Sequence, residues 1–200
     1  MIAARLILLA GLLGGSAAQA TGIADIGQAT AWGETNRDLL AHFGRRATVL
    51  PQPIDFGDSY AQVVLRSVVV GGVPLIAFFQ IDKATGGLKR IQLERQRHGV
   101  NPPAFRAVLA GLEADYGTPD RLCGSRPDAA TGYQAAAERV WRRDGVVIRA
   151  IFRDTTIEAF EGCLAGDPSA GPCGLTGQLL VRISPPGADG AGCPAPAGLR

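Results

Sequence analysis

Apolar residues in the middle of the chain follow the pattern of paired β-strands. The runs AQVVLRSVVV at 61–70 and VPLIAFFQID at 73–82 flank Gly71-Gly72, and LKRIQLER follows at 88–95. Two β-rich runs around two glycines predict a hairpin, because its tight turn needs positive φ at both central positions. Regular pairing puts one row of side chains on the inward face, and a slip of one residue would exchange the faces. That row is Val63, Leu65, Val69, Ile76, Phe78, Ile91 and Leu93.

The second half of the chain repeats this strand pattern. ERVW and VVIRAIF lie on either side of a turn that contains Asp144-Gly145, and this arrangement predicts a second hairpin with Trp141 opposite Ile148. The stretch GQLLVRI, at 177–183, predicts a final strand.

Two segments carry helix signals. NPPAFRAVLAGLEADYG has an N-cap asparagine, a proline at the first helical position and an apolar stripe of helical period, which predicts the main helix at about 102–116. Thr35 and Asp38 form a capping-box pattern that predicts a short N-terminal helix at about 35–43. The predicted class is α+β, with a mostly antiparallel sheet and the main helix packed on one face.

The first 20 residues have the pattern of a secretory signal peptide. Arg5 precedes an apolar run, and Ala18-Gln19-Ala20 forms a cleavage site of the A-x-A type. We therefore predict a signal peptide at 1–20, one α+β domain at 21–184 and a Pro/Gly-rich tail at 185–200. The apolar run is too short to span a bilayer, which takes about 20 residues, so we expect a periplasmic or secreted protein with no transmembrane segment after cleavage.

All four cysteines lie beyond the predicted cleavage site, where an even number of cysteines indicates disulfides. Three pairings are possible, and we favour Cys163–Cys173 and Cys123–Cys193, of which the second would tether the tail. The spacing contains no Cys-x-x-Cys and no histidine near a cysteine, so we predict no metal site.

Charge and motifs exclude several classes of function. The chain has 20 lysines and arginines against 18 acidic residues, a balance that does not favour nucleic-acid binding. It has no phosphate-binding loop, no dinucleotide fingerprint and no H-E-x-x-H, so we predict no cofactor.

Two stretches show a family resemblance. The helix opening WGETNRDLLAHFG and the sequence LEADYGTPD before a Trp-bearing hairpin resemble small exported bacterial proteins of the small-protein-A/BamE-like and β-lactamase-inhibitor-like types. The resemblance covers about 32–152 and rests on motifs that mark helix ends and turns, so it assigns no site residues. It implies helices on an antiparallel sheet and a non-catalytic binding or assembly module in the envelope.

A hydrolase is the alternative function. FGDSY at 56–60 resembles the G-D-S block of SGNH esterases, which would make Ser59 a nucleophile. Acyl transfer also requires a histidine base and a group that orients it. His42 and His98 both precede residue 100, whereas that family has its histidine in a D-x-x-H block near the C-terminus. A carboxylate pair, for example within RDTTIEAFEG at 153–162, is the other possible catalytic group.

Arginines on the outward face indicate a binding surface. The predicted register puts one set of arginines and Phe79 on the side of the sheet opposite the helix: Arg66, Arg90, Arg142, Arg149 and Arg153. An apolar field dotted with arginine is typical of protein-binding surfaces, unless other segments cover it. We therefore expect an exported soluble binding or accessory protein of the bacterial envelope, non-catalytic, that contacts another envelope protein or an anionic surface.

Overall fold

A computed structural model describes residues 22–97, 101–123, 126–127, 133–155 and 178–187. The predicted signal peptide and the predicted tail cysteine Cys193 lie outside these residues, as do Cys163, Cys173 and His98. Cys123 is buried and disulfide-bonded, and the described residues include no free cysteine. The two pairings proposed from the sequence remain predictions.

The described residues form three α-helices and nine β-strands. The helices are α1 Ile23–Ala29, α2 Asn36–Phe43 and α3 Pro102–Tyr116, and a 3₁₀ turn, Gly44–Arg46, follows α2. The strands are β1 Ala47–Asp55, β2 Ser59–Val70, β3 Val73–Asp82, β4 Leu88–Glu94, β5 Arg121–Cys123, β6 Arg126–Pro127, β7 Tyr133–Arg143, β8 Val146–Thr155 and β9 Gln178–Ser184.

The predicted caps begin and end the two predicted helices. The Thr35 side chain accepts a hydrogen bond from the Asp38 backbone N–H, and the Asp38 carboxylate accepts one from the Thr35 N–H, which completes the capping box of α2. The Asn101 side chain accepts from the Ala104 N–H at 3.0 Å at the start of α3. Gly117, with φ of 76°, ends α3.

All strand pairs are antiparallel and belong to one sheet, in the order β1-β2-β3-β4-β9-β8-β7-β5, with β6 also beside β7. The α+β class with a mostly antiparallel sheet is therefore confirmed. Strand β9 pairs with β4 on one side and β8 on the other, so it joins the two predicted hairpins into one sheet. Both predicted turns have positive φ at their central residues, Gly71-Gly72 and Asp144-Gly145.

The predicted register is correct near the first turn and wrong farther along. Regular pairing from the Gly71-Gly72 turn predicts Val68 opposite Leu75 and Leu65 opposite Phe78. Val68 does pair with Leu75, but Leu65 pairs with Ala77, because β2 holds one extra residue between these pairs. Another irregularity between β3 and β4 leaves Phe79 opposite Ile91. Val69, Ile76 and Phe78 are consequently on the face opposite the one predicted for them.

The main core cluster contains residues of all three helices and residues of one face of the sheet, here called the first face. Phe79 is 0% exposed in this core, and its ring centroid lies 5.2 Å from that of Phe43 on α2. The cluster that joins helices and sheet consists of Ile23, Ile26, Leu39, Phe43, Val63, Leu65, Val68, Val70, Leu75, Ala77, Phe79, Ile81, Leu88, Ile91, Leu93, Phe105, Val108, Leu112, Trp141, Ile148, Ala150, Leu179, Val181 and Ile183.

Helix α3 meets the β2–β3 turn without intervening side chains. A Cβ on Gly111 would lie 2.4 Å from the backbone nitrogen of Gly71, so the two backbones approach at a distance that only glycine allows. The far end of α3 is fixed to β7: the Trp141 indole N–H donates to the Gly117 carbonyl at 2.7 Å, and Arg143 Nε donates to the Tyr116 carbonyl at 3.1 Å. These bonds satisfy carbonyls that a helix end leaves unpaired.

Candidate functional site

The other face of the sheet, here called the second face, carries a line of polar side chains from β2 to β7. Strand pairing aligns them, since Gln80 lies opposite Arg90, Gln92 opposite Arg182, and Arg182 opposite Arg149. We call the whole line the polar row, and its members are Ser59, Gln80, Arg90, Gln92, Arg182, Arg149 and Glu138.

One end of the polar row is a hydrogen-bond network centred on Arg90. Arg90 Nε donates to Gln80 Oε1, and Arg90 Nη2 lies 3.2 Å from both Ser59 Oγ and Asp58 Oδ1. The Ser59 hydroxyl donates to Asp58 Oδ1 at 2.9 Å. Gln80 and Ser59 are both 0% exposed, so the guanidinium of Arg90 satisfies polar groups that water does not reach.

Two lysines and three aspartates extend this network to the surface. Lys89 Nζ lies 3.0 Å from Asp58 and 2.8 Å from Asp82, and Lys83 lies 2.8 Å from Asp55. Hydrogen bonds from Lys89 and from the Thr85 and Ala84 backbones lower the pKa of Asp82 to about 2.

Burial and hydrogen bonding have opposite effects on Asp58. Burial opposes ionisation of this carboxyl, but hydrogen bonds from Lys89 and Ser59 and the charge of Arg90 outweigh it, so the pKa of Asp58 is lowered. Asp58 is therefore held as an ionised partner of Lys89 and Arg90.

The other end of the polar row contains two further arginine contacts. Arg182 Nε donates to Gln92 Oε1 at 2.7 Å, and Gln92 Nε2 donates to Glu94 Oε1. Arg149 Nε lies 3.1 Å from Glu138 Oε1, and Glu138 is 1% exposed. A buried carboxylate is tolerated where such a cation compensates it.

The structure separates the five arginines that the sequence grouped together. Arg90 and Arg149 lie in the polar row, whereas Arg66 is exposed in the bulge of β2. Arg142 is exposed at the end of β7, and the side chain of Arg153 lies outside the described residues. The shared second face is thus correct for Arg90 and Arg149, but these side chains contact partners within the sheet.

Phe79 was predicted on the outward side and is instead in the core, because of the register shift between β3 and β4. The register predicted from the sequence also put Val68, Leu75 and Ile81 on the outward side, and they too are core residues. On the second face, Val64, Val140, Val147, Ile151 and Leu180 are only 1–2% exposed. The expected exposed apolar field is therefore absent at these positions.

The part of the second face that retains exposed apolar surface lies near β1. Ile54 is 41% exposed and pairs with Ala61, and the rings of Phe56 and Phe78 lie 6.2 Å apart. Phe78 and Ile76 are half-buried. We call Ile54, Phe56, Arg66, Ile76 and Phe78 the outer patch.

The environment of Ser59 differs from that of a hydrolase nucleophile. Its described polar neighbours are a carboxylate, an amide and a guanidinium, and its hydroxyl is inaccessible to solvent. His42 lies on α2 with its Nδ1 3.6 Å from Glu34, while His98 and the side chains at 153–162 lie outside the described residues.

Sequence reasoning missed four members of the polar row: Gln80, Gln92, Glu138 and Arg182. Gln80, Gln92 and Arg182 each have apolar neighbours on both sides in a strand, a period-two pattern that identifies the opposite face, whereas Glu138 is followed by Arg139 and lacks this pattern. That pattern was visible, but the pairing partners depended on where β9 enters the sheet.

Within the described part of the chain, no three His, Cys, Asp or Glu side chains are grouped to hold a metal ion, and no helix has the length and apolar character needed to cross a bilayer. Comparison of the chain with protein-family models, curated proteins and solved structures gives no match.

Proposed function

We propose that this protein is an exported, non-catalytic binding or accessory protein of the bacterial envelope, periplasmic or secreted. The signal-peptide pattern at 1–20 and the disulfide-bonded Cys123 support export, because disulfides persist in oxidising compartments. The resemblance to small envelope proteins supports the same assignment.

The observation that carries the proposal is that the polar side chains of the polar row bond to one another. Arg90 hydrogen-bonds Gln80, Ser59 and Asp58, and Arg182 hydrogen-bonds Gln92. A catalytic serine or carboxylate must be accessible to substrate and close to a base or acid. Groups that are buried and bonded to one another instead fix the positions of strands, which favours a rigid scaffold.

We infer that the helices form a layer on the first face and leave part of the second face for a partner. The core cluster that Phe105, Val108 and Leu112 of α3 share with sheet residues supports this arrangement. Among the described residues, the outer patch is apolar surface left exposed on the other side, and its mixture of aromatic, aliphatic and arginine side chains is typical of protein interfaces. We propose another envelope protein as its partner.

Site-specific photo-crosslinking in intact cells tests this surface. A benzophenone amino acid replaces Phe78 in the outer patch, and the same residue replaces the exposed Glu113 on α3 as the control. We expect one discrete crosslinked product from position 78 and none from position 113, with the product lost on Arg66→Glu.

Equal products from both positions, or none from position 78, would contradict the proposed surface. A screen with ester and glycoside substrates addresses the catalytic alternative separately. Any hydrolytic activity that disappears in Ser59→Ala, while the variant keeps its circular dichroism spectrum, would overturn the non-catalytic assignment.

A further inference from the structure

A small cavity lies between α1, the end of α3 and the β7–β8 turn. Its volume is about 150 Å³. It is on the helix side of the sheet, away from both the polar row and the outer patch. The residues that line it are Ile23, Ala24, Gly27, Tyr116, Arg143, Asp144, Val146, Ile148 and Ile183.

The inner walls of the cavity are apolar. Ile23, Ile148 and Ile183 are all at most 2% exposed and belong to the main core. A cavity of this volume with aliphatic walls is large enough to hold a molecule of the size of benzene. Gly27 leaves space on the α1 side, since a Cβ there would meet no atom within 4 Å.

The mouth of the cavity is polar, and the charged residues that line it are Arg143 and Asp144. Asp144 is exposed in the β7–β8 turn at the rim. Arg143, the cation beside it, donates to the carbonyls of Tyr116 and Thr118 and to the Asp120 carboxylate, so its charge is already paired.

Tyr116, which also lines the cavity, lies near three carboxylates. Burial, and then the nearby carboxylates of Asp115, Asp144 and Asp25, raise the pKa of Tyr116 to about 12. The phenol therefore stays neutral and keeps a lone pair that can accept a hydrogen bond at the cavity wall. These carboxylates would repel an anionic ligand and attract a cationic one.

We propose that this cavity binds a small organic amine with an apolar body of about the size of benzene. The apolar body would occupy the space bounded by Ile23, Ile148 and Ile183, and the ammonium would lie at the rim beside Asp144 and the Tyr116 hydroxyl. This binding site is independent of the outer patch and of the function proposed for it.

Protein-detected NMR with isoleucine methyl labelling tests the proposal on the mature chain. The probes are benzylamine, toluene and benzoate, which share the ring and differ in the charged group. We expect benzylamine to shift the methyl signals of Ile23, Ile148 and Ile183, with Kd on the order of 1 mM, as is reasonable for a ligand of so few atoms. Benzoate should bind about fivefold more weakly or worse, because charges at the rim repel it.

Two variants locate the binding. Gly27→Leu places a side chain in the open space beside α1 and should abolish the shifts. Asp144→Asn removes the rim charge and keeps a residue that tolerates the positive φ of 50° at this position. It should remove the preference for benzylamine over benzoate while toluene binding persists.

Three results would overturn the proposal. One is the absence of benzylamine-induced shifts at these methyl groups well above millimolar concentration. Another is binding that survives Gly27→Leu in a variant whose spectrum shows the native fold. The third is benzoate binding as tight as that of benzylamine, which would refute the acidic rim even if the cavity is occupied.

Discussion

Replacement of Gly111 by alanine tests the contact between α3 and the β2–β3 turn. In an ordinary helix interior this change stabilises a protein by about 1 kcal/mol, because glycine has the higher conformational entropy when unfolded. Here the new methyl group would lie 2.4 Å from the nitrogen and 2.5 Å from the Cα of Gly71. We therefore expect the sign of the effect to reverse.

The size of the expected loss in stability depends on which atoms must move to relieve the clash. Carbon atoms in contact normally lie about 3.5–4.0 Å apart, so relief of this clash requires a shift of about 1 Å between α3 and the turn. The clashing atoms belong to the backbone and cannot rotate away as a side chain would. Phe105, Val108 and Leu112 would lose close contact with the sheet as the helix withdraws. Overpacking of this kind costs about 1–3 kcal/mol, and we expect a net loss of about 2 kcal/mol.

The assay is urea unfolding followed by circular dichroism, with thermal unfolding as a second measurement. For a chain of this size, a loss of about 2 kcal/mol lowers Tm by about 4–8 °C. Gly27→Ala in α1 is the matched control, since its Cβ would meet nothing within 4 Å. It should stabilise the protein by roughly 0.5–1 kcal/mol.

A second pair of variants separates steric from conformational effects. Gly71 and Gly72 both have positive φ, but only a Cβ on Gly71 would clash, at 1.8 Å from the Ala107 carbonyl oxygen. Gly71→Ala should therefore destabilise the protein more than Gly72→Ala. A Gly111→Ala variant as stable as the parent protein would show that the helix and the turn are not in this contact.

Three further predictions concern the polar row, the register and acid stability. Arg90→Met should lower the free energy of unfolding in urea by about 1–3 kcal/mol, because it removes the guanidinium that donates to the buried Gln80 amide oxygen and lies beside the buried Ser59 hydroxyl. The exposed Arg66→Met should change it by less than about 0.5 kcal/mol, and equal effects would show that the network contributes nothing to stability. Phe79→Ala should lower the free energy of unfolding by about 3–5 kcal/mol, whereas Phe78→Ala, at a half-buried position, should lower it by about 1 kcal/mol. If Phe78→Ala were the more destabilising, the register expected from the sequence would be correct. The pKa of Asp82 is lowered to about 2, so the contribution of its carboxylate to stability is complete above pH about 4 and is lost as pH falls toward 2. In Asp82→Asn, the midpoint of urea unfolding should therefore fall less steeply between pH 4 and 2 than in the parent protein. An unchanged slope would contradict the Asp82–Lys89 pairing.

Local sequence signals determined the secondary structure of most of the described chain. Glycine pairs, Asp144-Gly145 and the capping residues Thr35 and Asn101 act within a few residues of their position, so the sequence alone places them. The alternation of apolar residues likewise predicted six of the nine described strands and the antiparallel α+β class, whereas β1, β5 and β6 were not predicted. Helix α1 was missed, because the seven residues of IADIGQA carry too short an apolar pattern and contain a glycine.

The faces of the strands and the composition of the polar row were decided by tertiary structure. Register shifts between β2 and β3 and between β3 and β4 leave Phe79 in the core and Phe78 on the opposite face, and sequence periodicity does not reveal such shifts. Strand β9 brings Arg182 between Gln92 and Arg149, although these residues are far apart in the chain. Pairings of this kind depend on the packing of the whole sheet, whereas a turn or a cap depends only on its neighbours, and this difference separates what the sequence determined from what the fold decided.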